Sequence, residues 1–127
     1  MILDFCRYGK LFDFNNPLPF GKKPYLTRWE IDVSKGTCSE KILDDRPMEF
    51  ARIHPKLEGK KHQFGYVLND GQLNNLFKYD FLNDTNEVHD LGDLRKGAEP
   101  VFIPNMNAAS EDEGFVVAVV YDQEKDK

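Results

Sequence analysis

The strongest constraint in this sequence is that it repeats itself. Leu26-Thr27-Arg28-Trp29-Glu30-Ile31 and Leu76-Phe77-Lys78-Tyr79-Asp80-Phe81 agree in character at every position except Thr27 against Phe77, at an offset of 50 residues. Met48-Glu49-Phe50 recurs as Ala98-Glu99-Pro100 at the same offset, and Tyr66-Val67-Leu68 as Val116-Val117-Ala118. A period near 50 residues built from several short strands is the signature of propeller blades, units that bury their faces only against their neighbours. The competing explanation is coincidence between similar amphipathic hairpins, because two-residue alternation recurs throughout all-β chains. Closed propellers carry about 4–8 blades, and 127 residues hold about two and a half such periods. The expected fold is therefore all-β, about two blades of a propeller, incomplete when taken alone.

Within each period the apolar residues alternate. Tyr25, Thr27, Trp29, Ile31 and Val33 interleave with Leu26, Arg28, Glu30 and Asp32, which is strand patterning. Ser34-Lys35-Gly36 turns the chain, and Thr37 to Ile42 returns as the partner strand. Phe64, Tyr66 and Leu68 alternate ahead of Asn69-Asp70-Gly71, a turn centred on Asp-Gly. Phe77, Tyr79 and Phe81 alternate before Asn83-Asp84. Phe115 to Tyr121 is a continuous apolar run, which predicts a strand buried on both faces. Helical periodicity is absent beyond a single turn over Leu73–Leu76 and a short one over Asn107–Glu113.

Charge and composition narrow the function classes. The net charge of −5, from 22 acidic against 17 basic residues, opposes nucleic acid as a partner, because phosphate contacts require a basic surface. No apolar run reaches the ~18 residues of a membrane-spanning helix, and Met1 to Arg7 carries Asp4 inside its apolar stretch, unlike a secretory signal. Cys6 and Cys38 stand alone without a C-x-x-C, so both read as small core or strand thiols in a reducing, cytoplasmic compartment. His54, His62 and His89 have no zinc-site spacing and are read as loop or surface histidines rather than metal ligands. Glu111-Asp112-Glu113-Gly114 is read as a solvated acidic loop. Glu49 and Glu99 are different. Each opens an apolar segment at the same place in its repeat, where equivalent strand ends converge around a propeller axis. Two carboxylates there either accept the ring N–H of metal-bound histidines or are ordinary strand-end acids; the pattern by itself leaves both open.

At these residues the chain resembles a known family. Leu26 to Asp32, Leu43-Asp44-Asp45-Arg46-Pro47-Met48-Glu49-Phe50-Ala51-Arg52-Ile53, Gly59 to Tyr66, Lys78-Tyr79-Asp80, Gly97-Ala98-Glu99-Pro100-Val101-Phe102-Ile103-Pro104 and Glu111 to Phe115 are similar, in order and rough spacing, to the carotenoid cleavage oxygenases. That family includes carotenoid, apocarotenoid and stilbene cleavage enzymes and the retinoid isomerase of the retinal pigment epithelium. The resemblance implies a seven-bladed propeller in which four axial histidines hold a non-haem iron(II). Dioxygen cleaves a conjugated double bond of a lipophilic carotenoid or apocarotenoid substrate. It also implies that Glu49 and Glu99, in the E-F-P-x-I and E-P-x-F-V motifs, orient iron-binding histidines. Ala51 departs from the family's proline after E-F.

The resemblance carries an expectation of incompleteness. The family's four iron-binding histidines lie in segments that residues 1–127 do not match, three upstream and one in a C-terminal F-H-G motif. Residues 1–127 are accordingly expected to be a single segment, the C-terminal part of an oxygenase propeller that stops before the last blade strand. Such a segment is expected to bind no Fe(II) and cleave nothing alone, with any peripheral membrane contact left to other regions. The alternative from another class is a non-catalytic β-rich binding module.

Overall fold

The computed structural model describes residues 1–9 and 23–126. Ten strands run in chain order: β1 Ile2–Arg7, β2 Tyr25–Asp32, β3 Thr37–Arg52, β4 Phe64–Asn69, β5 Asn75–Asp80, β6 Thr85–Asp90, β7 Arg95–Gly97, β8 Val101–Pro104, β9 Gly114–Val117 and β10 Val120–Asp122. A 3₁₀ turn, Pro55–Leu57, is the only helical element among the described residues. The first six strands pair sequentially and antiparallel in the order β1-β2-β3-β4-β5-β6.

The six strands form two sheets because β3 belongs to both. Its first part, Thr37–Ile42, pairs with β2, and its last part, Met48–Arg52, pairs with β4. The first sheet is thus β1, β2 and the start of β3; the second is the end of β3, β4, β5 and β6. A third unit follows, in which β7 pairs with β10 and β8 with β9. The Ala98 N–H donates to the Val119 carbonyl at 2.8 Å between those two pairings. β7–β8 and β9–β10 are therefore one interrupted ladder.

The repeat is physical. β2 and β5 are placed 50 residues apart, and the pairing Arg52↔Tyr66 recurs as Phe102↔Val116. Leu26, Met48, Val67, Phe77 and Tyr79 are buried together between the first and second sheets, with Cys6, Leu43, Ala51 and Phe81 at their margin. Between the second sheet and the third unit, the Tyr66 and Phe102 rings stack at 5.2 Å and 9°. The expected turns form at Ser34–Gly36 and Asp70–Gly71, where Gly36 and Gly71 take left-handed backbone (φ 65° and 84°) that side chains disfavour.

Four readings from the sequence are corrected. Leu73–Leu76 is no helical turn: Leu73 is left-handed (φ 54°) and Asn75-Leu76 already belong to β5. Asn107–Glu113 forms turns instead, with the Glu113 carboxylate accepting from the Ala109 N–H at 2.8 Å. The apolar run after Gly114 breaks into β9 and β10, and Phe115 and Val119 are 67% and 77% exposed, because nothing described covers that face. β1 and β6 lie where no strand was read. β1 has two exposed apolar residues, Ile2 and Leu3, ahead of half-buried ones, so no alternation marks it. In β6, Thr-Asn-Glu-Val-His-Asp is exposed throughout and so carries no alternation.

Met48 is fully buried at the point where β3 passes between the sheets. Met48→Ala should destabilise the chain by about 3 kcal/mol through lost transfer energy and the cavity left behind. Chemical denaturation followed by tryptophan fluorescence checks this, and a loss below about 1 kcal/mol would mean the sheets do not pack there.

Candidate functional site

Glu49 and Glu99 occupy matching interruptions. Glu49 lies opposite Leu68, and the register then shifts before Arg52 meets Tyr66. The extra residue is accommodated at Phe50, whose φ of 59° is rare for a bulky side chain. In the third unit, Glu99 and Pro100 fill the gap between β7 and β8. Pro100 has no N–H to offer a ladder, so a break there is its natural place. Each glutamate thus sits where the strand bends out of its pairing.

Their surroundings differ. Glu49 is half-buried, and its carboxyl is pushed above the usual carboxylate range, first by burial and then by the negative charge of Asp70. Glu99 is exposed, and its Oε1 accepts an ion-pair contact from Arg52 at 2.5 Å. Arg52 lies three residues beyond Glu49 on β3, so this contact ties the two interruptions together across the seam between units.

The histidines serve other purposes. His54 caps the 3₁₀ turn, its Nδ1 accepting from the Lys56 N–H at 3.1 Å, and its ring lies 5.2 Å from Phe102. His89 is exposed on β6. His62 is buried in a network invisible to the sequence reading. Its Nε2 stands 2.9 Å from Asp4 Oδ2, and Arg28 donates to both Asp4 oxygens at 2.7 Å. The Arg28 guanidinium covers the Phe81 ring at 4.7 Å. Burial pushes the Asp4 carboxyl up, but its bonds from Arg28 and His62 hold it below the usual carboxylate value.

The same device recurs fifty residues on, in altered form. Lys78, in the position of Arg28, donates to Asp112, in the position of His62, at 2.6 Å. Glu111 accepts from the backbone N–H groups of Gln63 and Phe64 at 2.9 and 2.8 Å. The acidic loop is thus a fastening between units rather than a solvated segment. The signal that could have found the second fastening from the first is the repeat offset: Arg28 and Lys78, and His62 and Asp112, each stand 50 residues apart.

Cys6 and Cys38 are free, and burial pushes the Cys6 thiol up to about 11. Among the described residues, no group of three or more His, Cys, Asp or Glu is arranged to hold a metal ion.

Comparison with known proteins gives a consistent result. The family model described as retinal pigment epithelial membrane protein matches residues 1–127. A "Carotenoid cleavage oxygenase" of Mycobacterium tuberculosis is 33% identical over 100% of this chain and 28% of its own length. The "Apocarotenoid-15,15'-oxygenase" of Synechocystis is 24% identical over 76% of this chain and 21% of its own. Among solved structures, an ACO/RPE65 chimera superposes with a TM-score of 0.85 at 22% identity, covering 98% of this chain and 29% of that one. Cobalt-substituted Synechocystis ACO gives 0.83 with the same coverage. These are propeller enzymes, so the strands described here are about two blades of that fold. The chain spans under a third of the length of the relatives it matches.

The Asp4 cluster generates a pH prediction. A carboxyl held below its unfolded value, ordinarily near 3.9, contributes stability that is present above that value and lost as pH falls through the folded one. Asp4→Asn should therefore cost about 3 kcal/mol at neutral pH, because Arg28 is left buried without its partner. The penalty should shrink as wild type is acidified below about pH 4. Urea midpoints across pH measure both, and a penalty independent of pH would contradict the assignment.

Proposed function

The chain belongs to the retinal pigment epithelial membrane protein family, the carotenoid cleavage oxygenases, and from that membership we propose what residues 1–127 contribute. They supply two blades of a non-haem iron(II) dioxygenase that cleaves a conjugated double bond in a lipophilic carotenoid or apocarotenoid. The observation that carries this reading is the pair Glu49 and Glu99, at matching strand interruptions within a match that spans the whole chain.

The residues present do not themselves fit iron. His54 and His62 are engaged with Lys56 and Asp4, His89 is exposed on an outer strand, and no metal-holding group is assembled among the described residues. In this reading the iron ligands come from polypeptide outside residues 1–127, and the role of this segment is support. A carboxylate accepting an imidazole N–H fixes the tautomer and orientation of that ring. Glu49, with its raised proton affinity, is a strong acceptor for such a bond. Glu99 keeps Oε1 on Arg52 and offers Oε2. Arg52 then holds the second carboxylate at a fixed position relative to the first.

The test is a hybrid enzyme. Residues 1–127 replace the matching 28% of the mycobacterial oxygenase, and iron content and carotenoid turnover are measured. The hybrid should bind iron and cleave carotenoid. Glu49→Gln or Glu99→Gln should each lower iron retention or turnover by about 10–100-fold, whereas Glu87→Gln on the outer strand should not. Full activity with both glutamates replaced would sink the support role. The 127-residue chain alone should carry far less than stoichiometric iron by metal analysis; a stoichiometric content would contradict the reading.

A further inference from the structure

The repeat that places Glu49 and Glu99 alike gives them unlike neighbours. In the second sheet the ladder between the end of β3 and β4 extends past Met48↔Asn69, because the Asp70 N–H donates to the Pro47 carbonyl at 2.9 Å. Asp70 therefore stands opposite Pro47, as Leu68 stands opposite Glu49. Opposite residues of an antiparallel ladder share a face, and so do alternate residues along one strand. Glu49, Leu68 and Asp70 thus lie on one face, with Glu49 and Asp70 as diagonal neighbours. That face is turned to the third unit: Leu68 borders the space beside Gly97, while Met48, on the other face, belongs to the core.

Fifty residues on, the pairing of Pro47 with Asp70 becomes Gly97↔Val120. A valine replaces the acid, and the charge that meets Glu99 is the Arg52 guanidinium at its Oε1. One glutamate has an anion beside it and the other a cation. The other titratable groups at this seam leave Asp70 unopposed. Arg52, on the strand of Glu49 itself, is turned to Glu99. Cys6 on β1 is an uncharged thiol, pushed up to about 11 first by burial and further by the charges of Glu49 and Asp70. The carboxyl of Glu49 accordingly lies above the usual carboxylate range, through burial and then through Asp70. A carboxylate that holds a proton more tightly is also the stronger hydrogen-bond acceptor, and a strong acceptor raises the basicity of an imidazole that donates to it.

We propose that Asp70 is a positioning residue acting through Glu49: its charge makes Glu49 the stronger of the two acceptors for an imidazole N–H. The two supports are then unequal. Glu49 holds its ring by acceptor strength, and Glu99, with one oxygen on Arg52, by a fixed position. The use of that bond rests on the support role argued above; the coupling of Asp70 to Glu49 rests on the ladder alone.

The coupling is measured in the 127-residue chain, with glutamate side chains labelled with ¹³C and the Glu49 carboxyl signal followed against pH by NMR. Asp70→Asn keeps the backbone bond to Pro47 and suits the turn before Gly71, so the fold is retained while the charge is lost. It should lower the Glu49 midpoint, and Asp70→Glu should restore it, whereas Glu87→Gln on the outer strand should leave it in place. A midpoint unmoved by Asp70→Asn, or moved equally by Glu87→Gln, overturns the coupling. In the hybrid enzyme Asp70→Asn should lower iron retention about tenfold, with recovery in Asp70→Glu; undiminished retention overturns the positioning role. A hybrid that takes up no iron with Asp70 and both glutamates intact counts against the oxygenase reading, and the Glu49 midpoint still decides the coupling.

Discussion

Two sheets share one strand, and the rest of the structure depends on how β3 crosses between them. At the crossing the backbone is fastened on both sides. The Met48 N–H donates to the Pro24 carbonyl at 2.9 Å, and the Asp70 N–H donates to the Pro47 carbonyl at 2.9 Å. Pro47 has no N–H to give, so it is tolerated where one ladder ends and the next has not begun. The crossing delivers Met48 to the core and turns Glu49 out of it, and the left-handed Phe50 absorbs the residue that the ladder cannot pair. The next crossing repeats the fastening, with the Gly97 N–H donating to the Leu73 carbonyl at 2.7 Å. A side chain at Gly97 would meet Leu91 and Leu68 at 3.0 and 3.3 Å, so leucines already fill the space beside this crossing.

The seams between units use two chemistries. Apolar burial supplies most of the first, through Leu26, Met48, Val67, Phe77 and Tyr79. Burial is non-directional and leaves sliding of one sheet over another weakly opposed. Ion pairs fix the register instead. At the first seam the Asp4 and His62 side chains are nearly inaccessible to solvent, Arg28 is partly buried, and the three satisfy one another, which is the condition under which buried charges are tolerated. At the second, Lys78 and Asp112 are more exposed, and Glu111 secures the seam through backbone amides. At the first seam Asp4 stands between His62 and Arg28. An aspartate in the second meets the lysine directly.

The fold was legible wherever strands alternate and repeat. In β5 the alternation is the burial pattern itself, with Phe77 and Tyr79 buried between half-buried neighbours, whereas β4 buries Gly65 to Leu68 on both faces and its alternating apolar residues mark the strand but not its full cover. β6 was illegible because both of its faces are exposed, so no apolar period is imposed on Thr85–Asp90. The run Phe115–Tyr121 misled for the opposite reason. Its composition suits a strand covered on both sides, whereas the described residues provide cover on one. Glu49 and Glu99 were found by their shared offset and apolar flanks. The Asp4–Arg28–His62 cluster was missed because its members are 24 and 34 residues apart, and a single aspartate, arginine and histidine carry no local pattern.

The distribution of exposure ties these points to function. The second sheet is flanked by neighbours on both faces and has all four strands, and its Tyr66, Val67 and Tyr79 are buried. The units on either side are each open, the first along the edge of β1 and the third across Val101, Ile103, Phe115 and Val117, all about half exposed or more. An apolar face of that kind marks contact with another surface. The two glutamates straddle the seam between the complete unit and an open one, where Arg52 reaches to Glu99. Their relative position is therefore as well defined as the packing of the third unit, which is anchored by Phe102 on Tyr66 and by the acidic loop. Whatever covers the open face of that unit stiffens Glu99 before it stiffens Glu49. That order follows from the seams alone, and it makes the exposed glutamate, rather than the half-buried one, the part of the site that depends on the rest of the propeller.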